Sequence, residues 1–159
     1  MYIHIFAMMK IDKEINQRSF RNPFQKAAIN VIFTAAWINQ RHAQALKPFG
    51  ISIQQFNILR ILRGMNPEPA TVKLLTERMI DKMSNASRLV EKLKAKGLVE
   101  RQSCPEDRRR VNIYITNKGL DLLKDASKTI ERDEQAYMNA MSEEQASLLS
   151  DLLDTLREC

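Results

Sequence analysis

Cysteine is nearly absent: Cys104 and Cys159 are the only two in 159 residues, too few for a disulfide framework. Histidine is as scarce, with His4 and His42, and the four side chains show no metal-ligand spacing, so no metal site is expected. Four glycines and five prolines supply too few tight turns for an all-β sandwich. No apolar run approaches the ~18 residues that span a bilayer. The longest candidate, Ala27 to Ile38, is broken by Asn30 and Thr34 and reads as a buried helix, which excludes a membrane protein. A Gly-rich phosphate loop, a Ser/His/Asp pattern, H-E-x-x-H and paired cysteines are all missing, so neither catalysis nor a cofactor is expected. Met1 to Met9 is mildly apolar, yet no basic residue precedes it and no small-residue cleavage site follows. We expect no signal peptide, loose first residues, and translation that can equally begin at Met8 or Met9. A cytoplasmic location follows.

What is present is the balance of one soluble domain with extensions: 44% hydrophobic, 28% charged and 6% aromatic positions, rich in the helix formers Leu, Ala, Lys, Glu and Met. Net charge is +6, and it is segregated. From Leu120 to Cys159 stand four basic residues (Lys124, Lys128, Arg132, Arg157) and ten acidic ones, a net of −6, which leaves 21 basic against nine acidic residues, +12, in residues 1–119. Such a division suits a molecule of which one part faces a polyanion; a solvated charged surface is the alternative.

Asn22-Pro23 offers a cap followed by proline at the first helical position, and apolar positions from Ala27 to Leu46 continue until Pro48 and Gly50. Ser52-Ile53-Gln54-Gln55 has the capping-box pattern, opening a helix with Phe56, Leu59 and Leu62 that runs to about Gly64. Thr71 caps a short helix carrying Leu74, Leu75 and Met79. Asp81 is expected to cap the next, with Met83, Ala86, Leu89, Val90 and Leu93 on one face, Ser84, Asn85, Ser87, Arg88 and Lys92 on its other side, and Lys96-Gly97 at its end. Two strands follow, Leu98 to Gln102 and Arg110 to Ile115, as a ribbon with a basic tip. Thr116 caps a long helix, and the box Ser142-Glu143-Glu144-Gln145 opens a last one with a leucine stripe from Leu148 to Leu156. The fold class is mainly α with a small two- to three-stranded antiparallel β-wing, in the order of a winged helix-turn-helix.

Here the residues become specific. Leu75-Thr76-Glu77-Arg78-Met79, Ser87-Arg88-Leu89-Val90-Glu91-Lys92-Leu93, Lys96-Gly97-Leu98-Val99-Glu100-Arg101, Asp107-Arg108-Arg109, and Ile115-Thr116 with Gly119 stand in a fixed order and spacing. The stretch from Leu74 to Gly119 resembles the MarR family of bacterial regulators, and the flanking helices extend the resemblance from about Pro23 over nearly the whole chain. The resemblance implies a sequence-specific transcriptional regulator that binds duplex DNA, a ligand-responsive repressor acting as a homodimer on a palindromic operator. Its recognition helix would offer Ser84, Asn85, Ser87 and Arg88 to the major groove, with Asn85 able to pair adenine and Arg88 guanine or a phosphate. Asn85 has weak helix propensity and no obvious capping duty, which favours contact. For Ser84 the alternative is a first-turn role, and for Arg88 a salt bridge to Glu91 or Glu77. In the wing, Arg109 matches the family's minor-groove arginine, Arg108 and Arg110 add phosphate contacts, and Asp107 holds the tip.

By the same resemblance the boundaries are residues 1–22 as an N-terminal extension, 23–50 as the first dimerisation helix, 51–118 as the winged helix-turn-helix, and 119–159 as C-terminal dimerisation helices. Packing within one subunit is the alternative for the leucine stripe. A small-molecule effector, often aromatic in the family, would sit among Trp37, Arg41, His42 and Phe56, against which stands ordinary packing of these side chains. Sensing through a cysteine near the first helix is disfavoured because none stands there, while Cys104, among wing arginines, leaves a redox switch open. The competing readings are a winged-helix module that binds protein or RNA and a nonspecific DNA-binding protein.

Overall fold

The computed structural model describes residues 10–103 and 111–158. The chain divides into two units, residues 1–41 and 42–159. Helix α1, Ile11–Glu14, lies in the first unit, a stretch where periodicity gave no helix. Helix α2, Pro23–Leu46, begins where Asn22 Oδ1 accepts from the Gln25 amide at 2.9 Å, so the expected cap holds. Within the first unit Ile11 is buried and Lys26 Nζ stands 4.0 Å from Asp12.

The second unit takes up the last turn of α2, then a 3₁₀ turn, Lys47–Phe49, that Gly50 ends with φ +65°. There follow α3 (Ile53–Met65), α4 (Val72–Arg78), α5 (Ala86–Ala95), strands β1 (Val99–Ser103) and β2 (Val111–Ile115), α6 (Asn117–Met138) and α7 (Glu143–Thr155). Both capping boxes form, Ser52 with Gln55 and Ser142 with Gln145, and Thr71 caps α4. These boundaries are written locally, because each polar side chain satisfies an amide left over by the first turn.

The strands pair antiparallel, Val99 opposite Ile115 through Ser103 opposite Val111. Ala70 adds a single bridge to Ile113, with N–H···O bonds of 3.0 and 2.8 Å, which is the third edge of the wing. Alternation puts Ile113 fully inside. It meets a core drawn from α3 (Ile58, Leu59, Leu62), α4 (Leu75), α5 (Val90, Leu93) and α6 (Leu123, Ala126). Each large side chain removed from water contributes roughly 1.5–3 kcal/mol, so the helix-turn-helix is anchored along its whole apolar side. Helix α7, by contrast, has no buried residue.

The junction of α5 with α6 is tight. Gly97, at φ +70°, lets the Leu98 amide reach back to Leu93 O at 3.0 Å while its own amide bonds Lys94 O at 2.8 Å, a Schellman closure over buried Leu93 and Leu98. Thr116 then donates through Oγ1 to Gly97 O at 2.8 Å and accepts from the Gly119 amide at 3.1 Å. Lys118 Nζ bonds Lys96 O at 2.8 Å. A Cβ on Gly119 would stand 2.2 Å from Leu98 O, so only glycine lets the two elements approach this closely.

Candidate nucleic-acid interface

Asp81 does not cap α5, and Met83 does not join its apolar face. The Asp81 carboxylate instead closes a turn, accepting from the Met83 amide at 3.1 Å and the Ser84 hydroxyl at 2.6 Å. These bonds, that of Ser84 foremost, hold the Asp81 carboxyl below its ordinary range. With Asp81 spent on the turn, the helix starts later. Asn85 is its cap, its Oδ1 accepting from the Arg88 amide at 3.0 Å, and Met83 lies 94% exposed. The expectation that Asn85 lacks capping duty is therefore corrected. Its amide NH₂ group has no bond among the described residues, so a donor remains on an exposed side chain.

Ala86, Val90 and Leu93 face the core, which turns Ser87 and Arg88 outward, both exposed. Neither alternative partner engages Arg88. Glu91 accepts from the Arg101 guanidinium, and Glu77 lies 4.0 Å from Lys73. A cation in the first turn opposes the helix dipole, and α5 has no acidic residue there to offset it. The arrangement is an exposed turn with hydroxyl and amide donors and a guanidinium that has no ion pair among the described residues. It can hold an anion and hydrogen-bond a planar polar edge.

The Glu91–Arg101 pair also ties β1 to α5 at the base of the wing, a link that sequence reasoning missed because it joins two elements. Cys104, Asp107, Arg108, Arg109 and Arg110 lie outside the described residues.

The four residues expected at an effector pocket fall in different surroundings. Trp37 and Arg41 belong to the first unit, the guanidinium 5.0 Å from the indole centroid. Phe56 is a core residue of the second unit, with Arg60 6.0 Å over its ring. His42 Nε2 lies 3.2 Å from Glu134 Oε1 and 3.4 Å from Tyr137 Oη. Glu134 and Tyr137 had no signal as partners of His42 in the sequence, since the pairing spans distant stretches of chain. An open groove of about 520 Å³ runs along α6, lined by Lys128, Glu131, Arg132, Gln135, Ala136 and Asn139, none of them among the four. Among the described residues no His/Cys/Asp/Glu cluster could hold a metal ion and no helix is long and apolar enough to cross a membrane.

Residues 49–110 match the sequence model of the MarR family, a segment that includes both helices of the helix-turn-helix. Among solved structures, a MarR transcription factor from Planctomyces limnophilus is 27% identical, with a TM-score of 0.66 over 86% of this chain and 99% of that one. MepR of S. aureus, solved in complex with DNA, is 22% identical, with a TM-score of 0.73 over 81% and 94%. The organohalide-sensing regulator RdhR, solved with 2,4-dichlorophenol bound, is 21% identical, with a TM-score of 0.75 over 89% and 86%. The matched segment runs from the end of the 3₁₀ turn through α3, α4, α5 and β1 and stops before β2, and the fold shared with these regulators continues on both sides of it: the chain has a winged-helix fold whose residues 49–110 are similar to the MarR family.

Proposed function

We propose that this protein is a sequence-specific transcriptional regulator that binds a palindromic duplex as a homodimer and acts as a ligand-responsive repressor in the cytoplasm, without catalytic activity. The observation that carries the reading is the outward first turn of α5. Ser87 and Arg88 are exposed there and Arg88 has no ion pair among the described residues, within a fold that in MepR was solved on DNA. Ser84, Asn85, Ser87 and Arg88 form the base-edge set, and Arg108, Arg109 and Arg110 the wing contacts. Asp107 holds the wing tip.

The dimer is supported by α7, where Leu148, Leu149, Leu152 and Leu156 are exposed, and by Phe24 and Ile32 on α2, also exposed. A row of large apolar side chains in water calls for a cover. Residues 23–50 and 119–159 are the dimerisation segments in this reading, flanking the DNA-binding segment 51–118, with 1–22 as an extension. Two recognition helices would then stand about one DNA turn apart, roughly 34 Å. The effector is a small aromatic molecule, by analogy with the dichlorophenol bound to RdhR. Trp37, Arg41, His42 and Phe56 are its candidate contacts, of which Phe56 is buried in the core of the second unit.

Selection of bound duplexes from a random DNA pool at near-physiological salt tests the reading. A palindrome with half-sites about ten base pairs apart is expected; binding without enrichment of any sequence would overturn it in favour of a nonspecific or protein-binding module. At the wing, Arg109→Ala is expected to weaken duplex binding by about 1–3 kcal/mol and leave the dimer intact, as titration of a labelled duplex and sedimentation would show.

A further inference from the structure

Two large apolar side chains stand in water on the turn that leads into α5: Ile80, 83% exposed, and Met83, 94% exposed. They differ in what surrounds them. The Ile80 amide is bonded to Asn57 Oδ1 of α3 at 3.0 Å, at the start of the turn. Met83 lies two residues before the Asn85 cap and next to Ser84. Its backbone is fixed, because its amide and the Ser84 hydroxyl are both bonded to the Asp81 carboxylate. A thioether held out by a fixed turn gains nothing from folding; it gains only when an apolar group covers it.

We propose that Met83 is a specificity-determining residue whose thioether packs against the C5 methyl group of a thymine in the major groove. The proposal rests on the regulator reading above and deepens it. The occupant follows from continuity and chemistry. Met83 adjoins the polar set Ser84, Asn85, Ser87 and Arg88 in sequence and leads into the same first turn of α5. Its side chain carries no charge and no N–H or O–H donor, so it can neither hold a phosphate nor donate to a base acceptor. The thymine methyl is the apolar group that base pairs present in the major groove. Asp81, by fixing the turn, is a positioning residue for this contact.

The experiment selects duplexes from a random pool with the wild-type chain and with Met83→Ala, then replaces each thymine of the wild-type operator by uracil, which lacks only the methyl. At one symmetric pair of positions, uracil is expected to weaken wild-type binding about three- to fivefold, the value of one buried methyl group. It should leave Met83→Ala binding unchanged there. Equal uracil sensitivity of the two proteins at every position, with sequence-specific binding retained, would overturn the role of Met83 and leave the regulator reading standing. Loss of the uracil effect in Ile80→Ala rather than Met83→Ala would likewise overturn it. If neither protein enriches any sequence, both readings fall.

Discussion

Asn85 has two tasks that a well-chosen pair of substitutions can separate. As the cap of α5 it needs an oxygen acceptor, which aspartate supplies equally; as a base-reading group it needs its amide donors, which aspartate lacks. Asn85→Asp is therefore expected to unfold within about 0.5 kcal/mol of the wild type and yet to bind the operator at least about tenfold more weakly. Asn85→Ala should lose about 1 kcal/mol of stability as well. Urea denaturation and duplex titration read the two effects separately. Asp81 gives a pH-dependent counterpart. Its carboxyl is held below the ordinary value of 3.8 in the folded chain, so its stabilising bonds are fully present above that value and are lost as pH falls through the lower, folded one. Thermal midpoints measured between about pH 5 and pH 3 should fall less for Asp81→Asn than for the wild type, since the amide has no such proton to take up. At this scale the sequence was legible where one acceptor competed for one amide, as at Ser52, Thr71, Thr116 and Ser142. It was ambiguous between Asp81 and Asn85, where several oxygen-bearing side chains crowd five positions, and the turn took the first of them.

Among the elements, the start of α6 closely approaches the backbone that leaves α5, at Gly119 and Leu98. Gly119→Ala places a methyl group 2.2 Å from the Leu98 carbonyl oxygen, and that neighbour is backbone. The strands and α6 must shift to admit it, at an expected cost of about 1–3 kcal/mol, visible as a lower urea midpoint with an unchanged slope. Sequence spacing gave the capping role of Thr116 and the end at Gly97, because both depend on neighbours within a few residues. The distance between Gly119 and Leu98 depends on how β1 and β2 pair, and no local pattern contains it. Alternation of Val111, Ile113 and Ile115 did contain the inward face of the wing. The Glu91–Arg101 link, the short α1 and the Ala70 bridge had no period to announce them.

For the whole molecule, charge is divided along the chain, and its acidic end carries a row of exposed leucines. Basic residues dominate before Leu120 and acidic ones after it, while α7 carries a stripe of exposed leucines, Leu152 at 59%. Leu152→Glu is expected to shift the sedimentation coefficient from dimer to monomer at micromolar concentration while helix content stays unchanged, because the substituted position is exposed within one chain. A dimer that survived the substitution would assign the interface to other surfaces. Segregated basic charge further implies that operator affinity falls steeply with salt, in proportion to the phosphates neutralised. This division was legible from composition alone. The partners of His42, Glu134 and Tyr137, were not, since they depend on which helices meet.

The fixed joint at Thr116 and Gly119 gives α6 a mechanical meaning. With 22 residues at 1.5 Å each, the helix is a rod of roughly 33 Å, clasped at one end to the last turn of α5 and touching His42 near the other through Glu134 and Tyr137. Because the joint is clasped and Leu123, Ala126 and Ile130 are packed in the core, α6 and the end of α5 hold one mutual angle, in which a displacement of about 3 Å at the far end corresponds to a tilt of roughly 5°. The orientation of α5 is thereby tied to a single rigid element that ends at the contacts with His42.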